Sequence, residues 1–406
     1  MTPTFIKIIK ILVVVAMLGI ILCSLNLETF NEQESNFKKI LVNDKPQKRE
    51  ENVKFIFYNS NIFGGSWELV FGYGKRPFEK CEYSNCYLSM DNTKPIPFNK
   101  YSAVIVHARD NCGPEAAQRV RQSRGGMKGP FIYYLMESAH YDCQFDFSLY
   151  DGVFNWTMGY HPNADIPSMY GNTYKVKEKQ PVPNIQSILR KKNKLLFWIS
   201  THRWSRGKRD DYFGLLNKHI SVDKYGTFGP KYCPDSPNPM RIDCKKHLAP
   251  YYKFYYASEN SLCKDYVTEK YFQALRLPVV PVVYGKVNYS AISPPHSFIN
   301  VRDFKSPKAL AEYLTYLDKN DTAYAEYFQW KLDGHYKISS VPQENQKTLC
   351  HLCDKLNNLE HRPAYTPAQM DKYWRGTKEN PVCSTPEDYI PGLKEGLSKK
   401  TVEVTY

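Results

Sequence analysis

The chain has 406 residues, with 55 Lys and Arg against 41 Asp and Glu, a formal net charge of +14, and 42 % hydrophobic residues. That length holds two domains of ordinary size and buries two cores. A basic balance raises the question of a nucleic-acid partner, but the amino-terminal membrane anchor described next places the rest of the chain where nucleic acid is absent.

Residues 1–10 carry Lys7 and Lys10 and lead into Ile11–Leu27, which has no charged residue, before Glu28, Glu32 and Glu34 follow. The flanking charges put the amino terminus in the cytosol and the remainder in a lumen. No A-x-A-like site follows Leu22, so residues 11–27 are expected to stay as a signal anchor rather than leave as a leader. The span is short, which suits the thinner membranes of the early secretory pathway. Residues 28–52 are polar and poor in apolar side chains, as a stem is. Beyond the anchor stand cysteines 81, 86, 112, 143, 233, 244, 263, 350, 353 and 383, an even set that a lumenal chain can oxidise. Cys350-His-Leu-Cys353 has half the spacing of a zinc site, yet no His-x3-His accompanies it, and disulfides are the expected fate. Sequons at Asn155, Asn288 and Asn320 mark glycosylation candidates in the same compartment.

Residues 53–180 alternate short apolar runs with polar turns: Val53–Tyr58, Ala103–Val106, Pro130–Met136 and Val153–Trp156. Such runs predict a buried parallel sheet. Where two of these strands end stand His107-Ala-Arg109-Asp110 and Glu137-Ser-Ala-His140, the positions at which open α/β sheets place their sites. Residues 181–194 carry Pro181, Pro183 and a basic cluster and are expected to link two domains. Residues 195–355 then open with the buried strand Leu195–Ser200 and a basic loop, His202–Arg209. Strands are predicted near 219–225, 252–258, 279–284 and 297–301, with helices near 265–276 and 306–317. There is no GxGxxG and no Walker loop, so phosphate binding falls to side chains and a helix terminus. The helix after Ser258-Glu259-Asn260-Ser261 presents Tyr266, Glu269 and Lys270 at spacings of three and four, one face with an aromatic ring, a carboxylate and an ammonium. That triplet suits a nucleoside diphosphate through stacking, ribose contact and charge; an amphipathic helix with a solvated Glu–Lys face is the plainer alternative. Residues 356–406 are rich in Pro and charge, carry Tyr373-Trp374 and Cys383, and are expected to be partly ordered at best.

The string Ser258-Glu-Asn-Ser-Leu-Cys-Lys-Asp-Tyr-Val-Thr-Glu-Lys270, with Val280-Pro-Val-Val-Tyr-Gly285, Pro294–Asn300 and Asp303-Phe304, resembles the signature of the GDP-fucose-dependent α1,3-fucosyltransferases. The likeness covers roughly residues 53 to 355, including Asn155–Tyr160, Asp165–Pro167 and Tyr170-Gly171. It implies an α/β GT-B-like architecture: two Rossmann-like doubly wound domains facing a cleft, behind a single transmembrane signal anchor. Glu137 matches the family's carboxylate and is implied as general base, although Ala139 stands where a proline is usual. His107, Arg109 and Asp110 match its acceptor-side motif, with Ala108 replacing a second histidine, and an arginine at 109 goes with 1,3 rather than 1,4 linkage. Glu259, Asn260, Tyr266, Glu269 and Lys270 are implied donor contacts, together with Arg209, for which Arg206 is a possible substitute. Cys81 and Cys86 are expected to pair with Cys350 and Cys353.

The implied reaction is inverting transfer of L-fucose from GDP-β-L-fucose, in α1,3 linkage, to GlcNAc of an N-glycan or glycoprotein, at the Golgi membrane. The Leu349–Leu356 string and the long tail resemble the core-modifying members from plants and invertebrates, which favours the innermost GlcNAc. A Lewis-type enzyme acting on outer lactosamine antennae, or an inactive glycan-binding relative, is the alternative. No Asp-x-Asp occurs, so no metal site and no required cofactor are expected, with stimulation by Mn²⁺ or Mg²⁺ left open.

Overall fold

A computed structural model describes residues 52–403 apart from 91–95, 203, 228, 232, 234–241 and 359–361. The expected anchor at 11–27 and nearly all of the expected stem lie outside the described residues, and no described helix is long and apolar enough to cross a membrane. Residues Lys54–Tyr406 form one compact unit.

The first sheet comprises β1 (Lys54–Tyr58), β2 (Cys86–Ser89), β3 (Ala103–His107), β4 (Phe131–Leu135), β5 (Phe154–Gly159) and β6 (Ile166–Pro167) in the order β2-β1-β3-β4-β5-β6. Every pairing is parallel. All residues of β3, β4 and β5 are buried, because helices and loops cover both faces, and this is why β4 and the body of β3 read as apolar runs, while Asn155 and Thr157 of β5 are buried with hydrogen-bond partners. One face packs Val104, Val106, Tyr133 and Phe154; the other packs Ile56, Ile105, Ile132 and Trp156.

A short antiparallel pair, β7 (Thr173–Lys175) with a strand at Tyr336–Ile338, stands apart from both large sheets. The second sheet comprises β8 (Lys194–Ile199), β9 (Val222–Tyr225), β10 (Tyr252–Ser258), β11 (Val280–Tyr284) and β12 (Ile299–Asn300), ordered β12-β11-β10-β8-β9 and again parallel. Strand order that reverses direction around a central strand is the doubly wound arrangement. The crossover from β10 to β11 runs through helix α1 (Glu269–Leu275), which buries Tyr271, Phe272, Ala274 and Leu275.

Three regions differ from expectation. The linker contains a short helix, Ile185–Leu189, with Asn184 capping it through Ser187 N. Helix Val341–Asn357, assigned above to the second domain, lays Leu349, Leu352 and Leu356 into the core of the first sheet. The tail, expected to be partly ordered, forms helices at Pro367–Arg375, Pro386–Tyr389 and Leu393–Glu403 and buries Met370, Trp374, Ile390 and Leu393. Its few apolar residues are spaced to reach existing cores, which average composition conceals.

Disulfides join Cys81 to Cys350 and Cys86 to Cys353, with Cα separations of 5.0 and 5.9 Å, and so bind helix Val341–Asn357 to the first sheet. Cys112–Cys143, Cys233–Cys244 and Cys263–Cys383 are also joined.

Candidate active site

The segments just past the carboxyl ends of β4 and β10 meet. Ser138 Oγ donates to Ser261 Oγ at 2.7 Å, and the half-buried Glu137 receives Asn260 Nδ2 at 3.4 Å and the Tyr266 hydroxyl at 3.3 Å on the same Oε2. A carboxylate with only long contacts, at the seam between two sheets, retains lone pairs for an incoming hydroxyl. Tyr170, in the stretch before β7, adds a tie by donating to Met136 O at 2.8 Å.

On the β10 side, helix α1 begins four residues later than periodicity predicts, at Glu269, because Thr268 is extended and acts as its N-cap. Glu259, fully buried, accepts from Thr268 N at 2.8 Å and from Thr268 Oγ1 at 2.8 Å, and thereby occupies the helix start. A buried carboxylate there satisfies a free N–H of the first turn and sits at the positive end of the helix. The expectation that Glu259 contacts the donor is therefore corrected: its role in this structure is to hold the loop. Burial pushes the Glu259 carboxyl up, against the pull of Lys270.

Lys270 Nζ donates to Thr268 Oγ1 at 2.7 Å and stands 3.4 Å from Glu259 and 3.3 Å from Glu269. Burial alone lowers an ammonium pKa, but the two carboxylates outweigh it and hold Lys270 above its ordinary value, with nearby Arg209 opposing. For Glu269 burial acts upward, and Lys270 and Lys245 overcome it, bringing the carboxyl down to about 2. Glu269 also opens on a cavity of about 300 Å³ that Tyr170, Phe272, Gln273 and Arg276 help to line. The Arg209 side chain is buried, donating Nη1 to Ser258 O at 2.9 Å, while its Nε has no partner among the described residues. Arg206 is exposed instead; its backbone N–H donates to the Tyr141 hydroxyl, and its side chain lines a cavity of about 350 Å³ with His140, Asp146 and Arg375.

Tyr266 departs most from expectation. It is 2 % exposed, its ring edge-on to Tyr160 at 4.9 Å, and burial drives its hydroxyl well above the ordinary value. It offers no open face for a base; its polar end is directed at Glu137. The spacing argument failed because the helix had not begun at 266, so Tyr266 and Glu269 do not share a helical face.

On the first-sheet side, His107 is 1 % exposed and its Nδ1 lies 2.5 Å from Asp110 Oδ2. Burial lowers the His107 pKa, with the bonded Asp110 carboxylate opposing it. Asp110 also accepts from Phe63 N at 2.6 Å and Gly64 N at 3.3 Å, so it organises the loop that faces β3. Arg109 is exposed, with its guanidinium 5.6 Å from the Phe63 ring centroid.

Sequence reasoning missed the grip of the tail on the loop after Glu137. Asp142, 2 % exposed, accepts from Trp374 Nε1 at 3.1 Å and from Arg375 Nη2 at 2.6 Å. The Tyr373-Trp374 pair in a polar tail was its only signal in the sequence. His140, Cys263 and Cys383 come close enough for a metal, but the two cysteines form a disulfide and offer no thiolate. Asn155 is corrected as a glycosylation site: it is 7 % exposed within β5, its Oδ1 accepts from Phe131 N and its Nδ2 donates to Arg362 O. Asn288 is exposed, whereas Asn320 caps the helix that begins at Asp321 through Ala323 N.

Comparison with known proteins bears on this arrangement. Residues 51–171 match the family model described as "Fucosyltransferase, N-terminal" and residues 189–371 the one described as "Glycosyltransferase family 10 (fucosyltransferase) C-term". The chain is 33 % identical over 235 residues to the alpha-(1,3)-fucosyltransferase fut-1 of Caenorhabditis elegans, covering 55 % of this chain and 53 % of that protein. It is 32 % identical over 327 residues to the glycoprotein 3-alpha-L-fucosyltransferase A of Drosophila melanogaster, covering 79 % and 60 % respectively. These matches span little more than half the length of either relative. A crystal structure of an alpha1,3-fucosyltransferase superposes with a TM-score of 0.49 at 18 % identity, covering 78 % of this chain and 93 % of that one. Two family models that together account for most of the chain, one on each side of residues 172–188, establish that the chain belongs to glycosyltransferase family 10, the fucosyltransferases.

Proposed function

We propose that the chain is an inverting α1,3-fucosyltransferase that uses GDP-β-L-fucose and acts on GlcNAc of N-glycans, at the innermost core residue. The observation that carries this reading is the junction at Glu137: a half-buried carboxylate with weak contacts on the first sheet, facing a donor loop backed by Lys270 and Arg209. In the proposed step the acceptor 3-hydroxyl oxygen attacks C1 of fucose and gives its proton to Glu137. The bond from C1 to the β-phosphate oxygen breaks, GDP leaves with the electron pair, and the β-linked sugar becomes α-linked. Lys270 supports the growing negative charge on GDP, helped by Arg209, and such contacts accelerate the step insofar as they tighten at the transition state. Glu269, facing its cavity, is positioned to accept from ribose hydroxyls. The absence of Asp-x-Asp favours catalysis without a required metal. The uncharged run Ile11–Leu27 between Lys10 and Glu28, and the exposed sequon at Asn288, are consistent with a type II Golgi protein with its catalytic part in the lumen. The core acceptor is favoured by the long tail and the Cys350–Cys353 string, which resemble core-modifying members.

The test is to incubate the full-length chain, purified in detergent, with GDP-fucose and a panel of core N-glycopeptides and lactosamine acceptors, with and without EDTA, and to read the linkage by mass spectrometry. Fucose on C3 of the innermost GlcNAc is the expected product. Transfer only to outer GlcNAc makes this a Lewis-type enzyme, and GDP binding without transfer to any acceptor makes it a glycan-binding relative.

A further inference from the structure

The tail touches both segments that converge on Glu137. At its first anchor, helix Pro367–Arg375 sinks Met370 and Trp374 into the core of the first sheet. Trp374 and Arg375 then donate to the buried Asp142, and Arg375 Nη2 donates as well to Phe145 O at 2.6 Å. Asp142 lies in the loop that leaves β4 through Glu137, and Cys143 of the same loop is bonded to Cys112. A buried carboxylate is tolerated only when paired, so these tail donors define where that loop rests.

At its second anchor the tail runs beside the donor loop. Lys264 N donates to Val382 O at 2.8 Å, Ser384 N donates to Leu262 O at 2.8 Å, and Cys263 is bonded to Cys383. Asn260 and Tyr266, which flank Cys263, are the two residues whose side chains reach Glu137 Oε2. Residues 376–382 connect the anchors, and farther on Ile390 and Leu393 enter the core of the second sheet.

We propose that residues 367–384 form a positioning clamp: Trp374 and Arg375 set the loop behind Glu137 through Asp142, and the Cys263–Cys383 bond sets the donor loop that faces it. This rests on the reading of Glu137 as the base. Trp374, Arg375 and Cys383 are positioning residues, since none contacts the reacting atoms. Displacement of a reacting group by about 1 Å costs as much as 10² in rate, so a modest shift of either anchor is kinetically visible.

The experiment uses the full-length chain with Arg375→Ala, Arg375→Lys, Trp374→Phe and Cys383→Ala, all assayed well below the lowest Tm of the set. Tm, GDP affinity by calorimetry, and kcat and KM for fucosyl transfer are measured on each. Arg375→Ala is expected to lose about tenfold in kcat with the KM for GDP-fucose unchanged, and Arg375→Lys to recover part of it. Cys383→Ala is expected to weaken GDP binding several-fold as well as lower kcat. Trp374→Phe keeps the ring and removes one donor, so it reports on Asp142 even if Arg375→Ala fails to fold. A lower Tm with kcat, KM and GDP affinity within about twofold of the parent overturns the clamp and leaves a purely structural tail. If the parent transfers no fucose, the enzymatic reading fails by itself, and unaltered GDP affinity in Cys383→Ala then rejects the donor half of the clamp.

Discussion

The two rims of the candidate site are built in opposite ways. On the β10 rim the charges are paired in advance: Glu259 caps helix α1, Lys270 is held between Glu259 and Glu269, and Arg209 is tied to Ser258 O. On the first-sheet rim Glu137 has only long contacts and Arg109 is exposed, while the surrounding loops are fixed by Asp110, Asp142 and a disulfide. A charged leaving group is best met by dipoles and ions that need no reorganisation, whereas a base must keep capacity for a proton it has yet to receive. On the proposed reading, the difference fits leaving-group stabilisation on one rim and proton transfer on the other.

The comparison breaks most visibly at Glu137. Glu137→Gln keeps the shape and its ties to Asn260 and Tyr266 but removes basicity, so kcat is expected to fall by about 10² or more with GDP affinity little changed. Near-normal turnover would move the base elsewhere. Neither Asp110 nor Asp142, the nearest substitutes in sequence, is free for that role, because each already accepts from several donors.

Lys270→Ala breaks the other rim in two ways. It removes a cation from the donor side, for an expected several-fold loss of GDP affinity and a larger loss in kcat. It also leaves the fully buried Glu259 without its cation and the partly exposed Glu269 with Lys245 alone, so the variant should unfold at distinctly lower temperature; breaking a buried pair costs about 3–5 kcal/mol where burial is complete, and less here. Lys270→Arg should restore stability more than turnover, because a planar fork does not reproduce a point charge. Calorimetric GDP titration beside a thermal melt separates the two effects. Unchanged kinetics in the alanine variant would return this helix to a merely structural role.

Arg109 sharpens the contrast with a smaller effect. It is exposed and lacks a carboxylate partner among the described residues, so Arg109→Ala should shift stability by less than about 0.5 kcal/mol. Its consequence is expected in the KM for the acceptor and not for GDP-fucose. A change confined to the donor constant would place Arg109 on the wrong rim.

The smallest expected effect lies away from both rims. Lys331 donates to Leu277 O beside the linker, and burial lowers its pKa to about 7. An unfolded lysine titrates near 10.4, so between about pH 7 and 10 the unfolded chain binds more protons and the parent gains stability as pH rises. Lys331→Met lacks that gain. Its Tm advantage over the parent should be largest near pH 6 and shrink toward pH 10, with activity unaffected; a pH-independent difference would show that Lys331 is not held neutral.

Sequence alone determined the parallel sheets, since strands buried on both faces leave unbroken apolar runs such as Phe131–Leu135 and Val280–Tyr284. It also put Glu137 just past the end of a strand and Lys270 in the first turn of the helix that follows another, where side chains can converge, while their proposed roles came from the resemblance of the surrounding strings to the fucosyltransferases. Tertiary structure alone decided what the neighbours do. The start of helix α1 depends on Glu259 reaching Thr268, a bond between residues nine apart that helical periodicity does not encode, and it turned Tyr266 from a surface ring into a buried support. The tail is the extreme case: its contact with Asp142 joins residues more than two hundred positions apart, and composition reports only local solubility. Pairings over such distances depend on how two completed sheets come to rest, a geometry set by the summed packing of both cores and written in no short stretch of chain.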